Sequence, residues 1–276
     1  MRLKSLRSKI HTIYENYLFK IEKGYLLQYN FFYKIYLRLV KGLKFNLNFS
    51  AKVPWINTNL KSQDETKLTL RIIENTKLNP HPSVPEKNWD SLIALSIITQ
   101  NLNKSAMILD AGGEKNSLII FWLYQLGFSN LKCLNLTFNK KIKRGDIEFI
   151  PGDLTKTSFP DNYFDAITCI SVIEHGVDEI KYFKEMYRIL KKGGLLITSI
   201  DYWENEIDRM NGLAYNNPIY VYNKNSVRIL LEKAQKQGFV LFGPEIDLNC
   251  KNKVVKWKKF SLDFTFLIFS LTKPLK

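Results

Sequence analysis

Three short stretches of this 276-residue chain bring together residue types that could do chemistry. The first is Asp110-Ala111-Gly112-Gly113, a carboxylate followed by paired glycines at the end of an apolar run. Glycines in such a turn let backbone approach a ligand closely, and a helix opening behind them offers free N–H groups. The second is Gly152-Asp153-Leu154, an acidic residue with an apolar neighbour after another apolar run. The third is Ser171-Val172-Ile173-Glu174-His175-Gly176, directly after the run Phe164 to Ile170. A histidine beside a glutamate has the composition of a general base with its orienting carboxylate, worth roughly 10²–10⁴ in rate when an acceptor must lose a proton. His175 is the candidate base and Glu174 its orienter or an alternative base. The same pair would also suit a helix cap or a pocket frame, and Asp153 alone would suit a turn cap. No metal site is expected.

The elements that must position these residues follow from periodicity. Ala106 to Ala111, Leu131 to Leu136, the short apolar run ending in Gly152-Asp153, Phe164 to Ile170 and Leu195 to Ile200 read as buried strands. Between them, Asn116 to Leu126 reads as a helix closed by Gly127. Ile180, Phe183, Met186, Tyr187 and Leu190 share one helical face. A helix over Trp89 to Asn101 precedes the first strand. Only about ten residues separate the second and third strands, too few for a full crossover helix. Ser226 to Gln237 reads as the last helix, with Asn225 as N-cap and Gly238 as C-cap. Phe239 to Phe242 and Phe264 to Leu271 supply two final strands. Strand, crossover and strand in this order make a parallel α/β sheet whose ligands bind at the carboxyl edge.

The chain from about Ala106 to Phe242 resembles class I S-adenosylmethionine-dependent methyltransferases of the type 11 kind. The residues that carry the resemblance are Gly152-Asp153 with Phe159-Pro160-Asp161, then Tyr163-Phe164-Asp165, then Arg188-Ile189-Leu190-Lys191-Lys192-Gly193-Gly194. The resemblance implies a Rossmann-like sheet of seven strands, the last antiparallel, and S-adenosylmethionine as cofactor. It implies cofactor contacts from Asp110, Gly112, Gly113, Asn135, Asp153, Leu154 and Ser171. Two positions depart from the family pattern. The turn D-x-G-x-G-x-G keeps Gly112 but has Glu114 and Asn116 at the later glycine positions. Asn135 stands where the family has an acid gripping the ribose hydroxyls, a change worth roughly 1–2 kcal/mol. If Asn135 faces the ribose, Asn135→Asp should tighten binding. The segment Thr198 to Trp203, with Ile219 to Asn223, is similar to a subgroup found among bacterial surface-polysaccharide genes. That similarity implies O-methylation of a sugar in a glycan or its precursor, with Tyr202 and Trp203 as stacking surfaces for it.

The charge of the chain is lopsided. Residues 1–105 carry 17 Lys and Arg against 7 Asp and Glu, and the remainder 24 against 19. The excess therefore sits mainly outside the methyltransferase-like part and points to an anionic partner. Ile10, Ile13, Tyr14, Tyr17, Leu18, Ile21 and Tyr25 recur at helical spacing, and Tyr25 to Leu43 interleaves aromatics with Lys34, Arg38 and Lys41. These segments read as an interfacial helix pair on an anionic membrane or as an arm packing on the catalytic domain or on a second subunit. The expected division is a basic helical extension and linker over 1–88 and the methyltransferase domain over 89–276. Cys133, Cys169 and Cys250 are scattered and read as reduced core thiols, and no leader or membrane span is visible, so a cytoplasmic protein, peripheral at the inner membrane face, is expected. The net charge of +15 keeps a nucleic-acid methyltransferase open, though no RNA-binding module is recognisable and no nucleic-acid partner is favoured. A non-catalytic relative with a degenerate cofactor turn is the other alternative.

Overall fold

The computed structural model describes residues 25–207, 213–214, 217–218 and 220–276. The helix expected over Ile10 to Tyr25 lies outside them, as does much of the insert after Asp201. Helix α1 (Asn30–Lys41) follows a short 3₁₀ turn, Tyr25–Gln28, and ends on Gly42 at φ +63°. Next come β1 (Thr58–Asn59), α2 (Gln63–Thr76) and α3 (Lys87–Asn101). Ser62 caps α2 by accepting from the Glu65 amide, while the Glu65 carboxylate accepts from the Lys61 amide. The run Asn88 to Ile98 in α3 is buried on every side, so this helix sits between layers rather than on the surface.

The sheet proper begins with β2 (Met107–Ala111), α4 (Leu118–Gln125) and β3 (Asn130–Asn135). The short connection to the next parallel strand holds β4 (Ile142–Arg144), which pairs antiparallel with β5 (Ile147–Pro151). Then come β6 (Phe164–Ile170), α5 (Glu179–Ile189) and the long β7 (Leu190–Tyr202). A two-strand ribbon, β8 (Leu213–Ala214) with β9 (Asn217–Pro218), lies off the main sheet. Helix α6 (Lys224–Lys236), β10 (Val240–Leu241), β11 (Val255–Trp257) and β12 (Leu262–Thr272) complete the chain. The N-cap of α6 is Asn223 rather than the expected Asn225. Asn223 accepts from the Ser226 amide while the Ser226 hydroxyl accepts from the Asn223 amide, a reciprocal box that Asn225 could not form.

The sheet runs β1-β12-β7-β6-β2-β3-β5-β4, with β10 and β11 also on β12. Strands β5, β3, β2, β6 and β7 are parallel, and β12 inserts antiparallel to β7 from Thr265 opposite Tyr202 to Thr272 opposite Leu195. With β10 on its far side, this is the expected seven-strand class I methyltransferase topology, last strand antiparallel. The additions are β1, β4 and β11. One addition changes the expected division at residue 88. Thr58 and Asn59 pair with Ile268 and Leu267, and the side chains of Asn57 and Asn59 donate to carbonyls at 242, 244, 247 and 249. Residues 57–59 are thus built into the sheet domain. The two faces of the sheet carry separate cores, Ile93 and Trp122 on one and Phe183, Met186 and Leu230 on the other. Both leave the carboxyl edge of β2, β3, β5, β6 and β7 to the loops.

Candidate active site

At the end of β2 the chain turns on Gly112, at φ +85°, in the left-handed region that glycine tolerates. A Cβ on Gly112 would stand 2.5 Å from Val172 Cγ1, so the loop after β6 packs directly on this turn. A Cβ on Gly113 would collide with the Asp110 carboxyl. Asp110 itself is buried under the turn. Its Oδ2 accepts from Ser117 Oγ at 2.5 Å and its Oδ1 from Thr168 Oγ1 at 2.9 Å. Burial pushes its carboxyl up to about 6. Asp110 therefore latches β2 to β6 and to the start of α4, where a cofactor contact was expected.

Asn135 is likewise committed. Its Nδ2 donates to the carbonyls of Gly112, at 2.8 Å, and Gly113, at 3.1 Å. Its Oδ1 accepts from the amide and hydroxyl of Thr137, both at 2.9 Å. It staples the loop after β3 to the turn after β2, instead of offering an oxygen to a ribose. Asp153 is exposed, and its Oδ1 accepts from the Thr155 amide and hydroxyl at 2.8 Å. Leu154 beside it is buried. Leu136, which sequence reasoning passed over, is 74% exposed next to Asn135, a large apolar side chain facing solvent at the ligand edge.

The loop after β6 starts at Ser171, a non-glycine residue at φ +50°. Its amide donates to the carbonyl and hydroxyl of Ser199 on β7, yet its own buried Oγ has no hydrogen-bond partner. Such strain is held only where the surroundings enforce it, and it clusters at ligand sites. Ile173–His175 then form one 3₁₀ turn closed by Gly176. Glu174 is 1% exposed; its carboxyl oxygens have no partner at full hydrogen-bond geometry, and the Asp201 carboxyl stands close enough to share a proton with it. It therefore makes no hydrogen bond that would orient His175, contrary to the expected pairing.

The structure brings further carboxyls to Glu174 that the sequence did not reveal. Asp201, at the end of β7, and Asp90, in the first turn of α3, are both buried. Asp90 accepts from Ser199 Oγ at 2.8 Å and from the Ser91 amide at 2.7 Å. Burial and the neighbouring Asp201 hold the Glu174 carboxyl far above the usual range, and Asp201 is pushed up to about 6, chiefly by burial. The charge of Lys87, at the start of α3, partly offsets these shifts. His175 is half-buried, and burial followed by the Lys87 charge lowers it to about 4. Near neutral pH the site thus holds an uncharged imidazole and carboxyls that titrate unusually high. Among the described residues no group of His, Cys, Asp and Glu is arranged to hold a metal ion.

The segment after β7 does not form the expected aromatic wall. Tyr202 is fully buried, and its hydroxyl donates to the Leu248 carbonyl at 2.6 Å, so it is a packing residue. Trp203 is half-buried, with Lys253 Nζ 5.0 Å from its ring centre. The three cysteines are buried free thiols, as expected.

Residues 129–198 match the profile of a family described as Methyltransferase domain. Cycloartenol-C-24-methyltransferase 1 of Oryza sativa subsp. japonica is 32% identical over 87 residues, which cover 30% of this chain and 25% of that protein. Demethylmenaquinone methyltransferase of Paenarthrobacter aurescens (strain TC1) is 44% identical over 57 residues, covering 21% of this chain and 22% of that protein. The chain thus spans about a quarter of the length of these relatives. The crystal structure of the (4+2)-cyclase SpnF superposes with a TM-score of 0.52 at 13% identity, over 80% of this chain and 100% of that one. The chain is similar to methyltransferases in the sequence of its sheet and has their fold. The cyclase is a reminder that the fold is shared more widely than one reaction.

Proposed function

We propose that this chain is an S-adenosylmethionine-dependent methyltransferase in which the Glu174–Asp201 carboxyl pair, beside His175, receives the acceptor proton. The observation that carries the reading is the buried Glu174 carboxyl, without a partner at full hydrogen-bond geometry on either oxygen, at the ligand edge of the sheet. Leaving such a group unsatisfied costs stability, and costs of that kind concentrate where a ligand completes the site. The residues fit the cofactor on three counts. Leu136 offers exposed apolar surface for a purine beside the loop after β3. Ser171 Oγ is a buried polar atom with bonding capacity to spare. Asp201, ionised above about pH 6, favours a cationic sulfonium. Asn135 adds no ribose contact, and affinity is lower for its absence.

When bound, S-adenosylmethionine supplies an already activated methyl group. The work left to the protein is alignment and proton removal. Asp201 ionises above about pH 6, and burial beside it raises the Glu174 carboxyl further, so the pair binds a proton more tightly than free carboxylates do. Its carboxylate is a better-matched proton acceptor near neutral pH than His175, whose lowered pKa makes it a weak base. His175 stays neutral and adds no positive charge next to the sulfonium.

The acceptor in this reading is a sugar hydroxyl of a surface glycan or its precursor. Its support is the similarity of the segment after β7 and the ring of Trp203; Tyr202 lends none. A carbon acceptor on a lipid-soluble molecule is the second reading, favoured by the names of the sterol and menaquinone relatives. Incubation of the chain with methyl-labelled S-adenosylmethionine and either nucleotide-activated sugars or a demethylated quinone separates the two. Label in a sugar supports the first and label in the quinone the second. No label in any metabolite of a whole-cell extract overturns the transferase reading.

A further inference from the structure

Away from the carboxyl cluster, α1 and the sheet edge beside it form a second feature. One face of α1 is docked on the domain. Tyr33, Tyr36 and Leu37 are buried, and the Tyr33 ring lies 5.7 Å from that of Tyr124 on α4. The opposite face is bare. Phe31, Ile35 and Leu39 follow at i, i+4 and i+8 and are exposed, Phe31 by 68% and Leu39 by 80%. Tyr25, Leu26 and Tyr29 extend this apolar surface through the preceding 3₁₀ turn. Lys34, Arg38 and Lys41 form the neighbouring stripe, at i, i+4 and i+7. A continuous apolar ridge of this size is unusual on a soluble surface and costs solubility unless something covers it.

Next to the basic stripe opens a cavity of about 660 Å³ between α1, the loop leading into α4, the segment after β3, and β4. Its cations are Lys41, Lys115, Lys140 and Arg144, against the single carboxylate of Glu114. Its floor is aromatic, formed by Phe121, Phe138 and Phe149 with Tyr33. Four cations from four separate segments converge on one concavity, and the ridge is flanked by more of the same sign. The ridge alone would suit any apolar partner. The adjacent cationic stripe and cavity select one that presents anionic phosphate alongside hydrocarbon.

We propose that α1 docks this protein on an anionic bilayer, with Phe31, Ile35 and Leu39 entering the acyl boundary and a lipid phosphate seated in the Lys41–Lys115–Lys140–Arg144 cavity. No described helix is long and apolar enough to cross a membrane. None of its residues belongs to the carboxyl cluster, but Glu114 and Lys115 of the cavity lie in the turn after β2, so the variants that test the docking are placed outside that turn.

The test is co-sedimentation of the full chain with phosphatidylcholine vesicles, with and without phosphatidylglycerol, at low and high salt. Binding should require phosphatidylglycerol and fall at least tenfold as ionic strength rises to about 0.5 M, because exposed charges are screened there. The pair Phe31→Asp and Leu39→Asp should abolish binding to the phosphatidylglycerol vesicles. The pair Lys41→Glu and Lys140→Glu should abolish it as well. All four positions are exposed, so circular dichroism should be unchanged, and loss of binding with an intact spectrum supports the proposal. Equal binding to neutral and anionic vesicles overturns the phosphate site. Failure of the wild-type chain to bind any vesicle overturns the proposal, and sedimentation as a dimer would then assign the ridge to a second copy. Tight binding of glycerol 3-phosphate without vesicle binding would assign the cavity to a soluble phosphate ester and overturn the membrane.

Discussion

The side-chain amide of Asn135 donates to the carbonyl oxygen of Gly112 at 2.8 Å, tying the loop after β3 to the turn after β2. The same nitrogen reaches the Gly113 carbonyl, and the Asn135 oxygen is engaged by Thr137. An amide does this and a carboxylate cannot, because two carbonyls need a donor. Asn135→Asp should therefore destabilise the fold by about 1–3 kcal/mol, and tighter cofactor binding is no longer expected. Urea unfolding of the two proteins measures it. An unchanged midpoint would show that the staple contributes nothing.

The glycine pair is constrained for two different reasons. Gly112→Ala meets both a positive φ and Val172, whereas Gly113→Ala meets the Asp110 carboxyl and Cys133 Sγ. Val172→Ala should restore part of the stability lost in Gly112→Ala, the steric part, and leave the backbone strain. It should restore nothing to Gly113→Ala. Additive losses in both double variants would contradict the contact between the turn and the loop after β6.

Glu174 sets a pH dependence whose sign is fixed by its direction of shift. Its folded pKa is raised, so the folded chain keeps a proton that the unfolded chain releases. Its contribution is fully present below the ordinary carboxylate pKa and is lost as pH rises above it. Asp110 and Asp201, both at about 6, act in the same direction between about pH 4 and 6. His175 acts oppositely, losing stability as pH falls from about 6.5 towards 4. Glu174→Gln should be as stable as wild type at about pH 4 and more stable at pH 8, while Asp201→Asn, which removes the ionised member of the pair, should lower methyl transfer by about 10²-fold. Lower stability at pH 8 would mean that Glu174 is satisfied in the fold.

Tyr202 and Trp203 are adjacent in sequence but differ in role. Tyr202→Phe should cost about 1 kcal/mol through the lost bond to Leu248 and leave the acceptor KM unchanged. Trp203→Ala should raise the acceptor KM several-fold with kcat retained. A KM change in Tyr202→Phe would return that residue to the acceptor site.

Legibility followed the range of the physics. Strands such as Phe164 to Ile170, and the β10–β12 pairing, were readable because apolar runs and turn glycines encode them locally. The junction at 57–59 was not, because Thr58 and Asn59 are polar and enter the sheet only through partners some 180–210 residues away. At the site, Gly112, Ser171 and Glu174 were found by their place after strands. Asp90, Lys87 and Asp201 were missed because burial beside Glu174 is a tertiary property. Asp110 and Asn135 were placed correctly at the edge but assigned to a ligand, since residue type cannot reveal that Ser117, Thr168 and the glycine carbonyls already occupy them. For Tyr202, ring type suggested stacking, and only its complete burial identifies it as packing.

The central claim is that this edge binds S-adenosylmethionine despite Asn135 and Glu114. Isothermal titration of S-adenosylmethionine into the full chain at pH 7.5, beside Gly112→Ala and Ser171→Ala controls confirmed as folded, tests it directly. A saturable heat in the wild type, weakened in both variants, is expected. No saturable heat from the folded wild-type chain would contradict the claim and leave a methyltransferase fold without its cofactor.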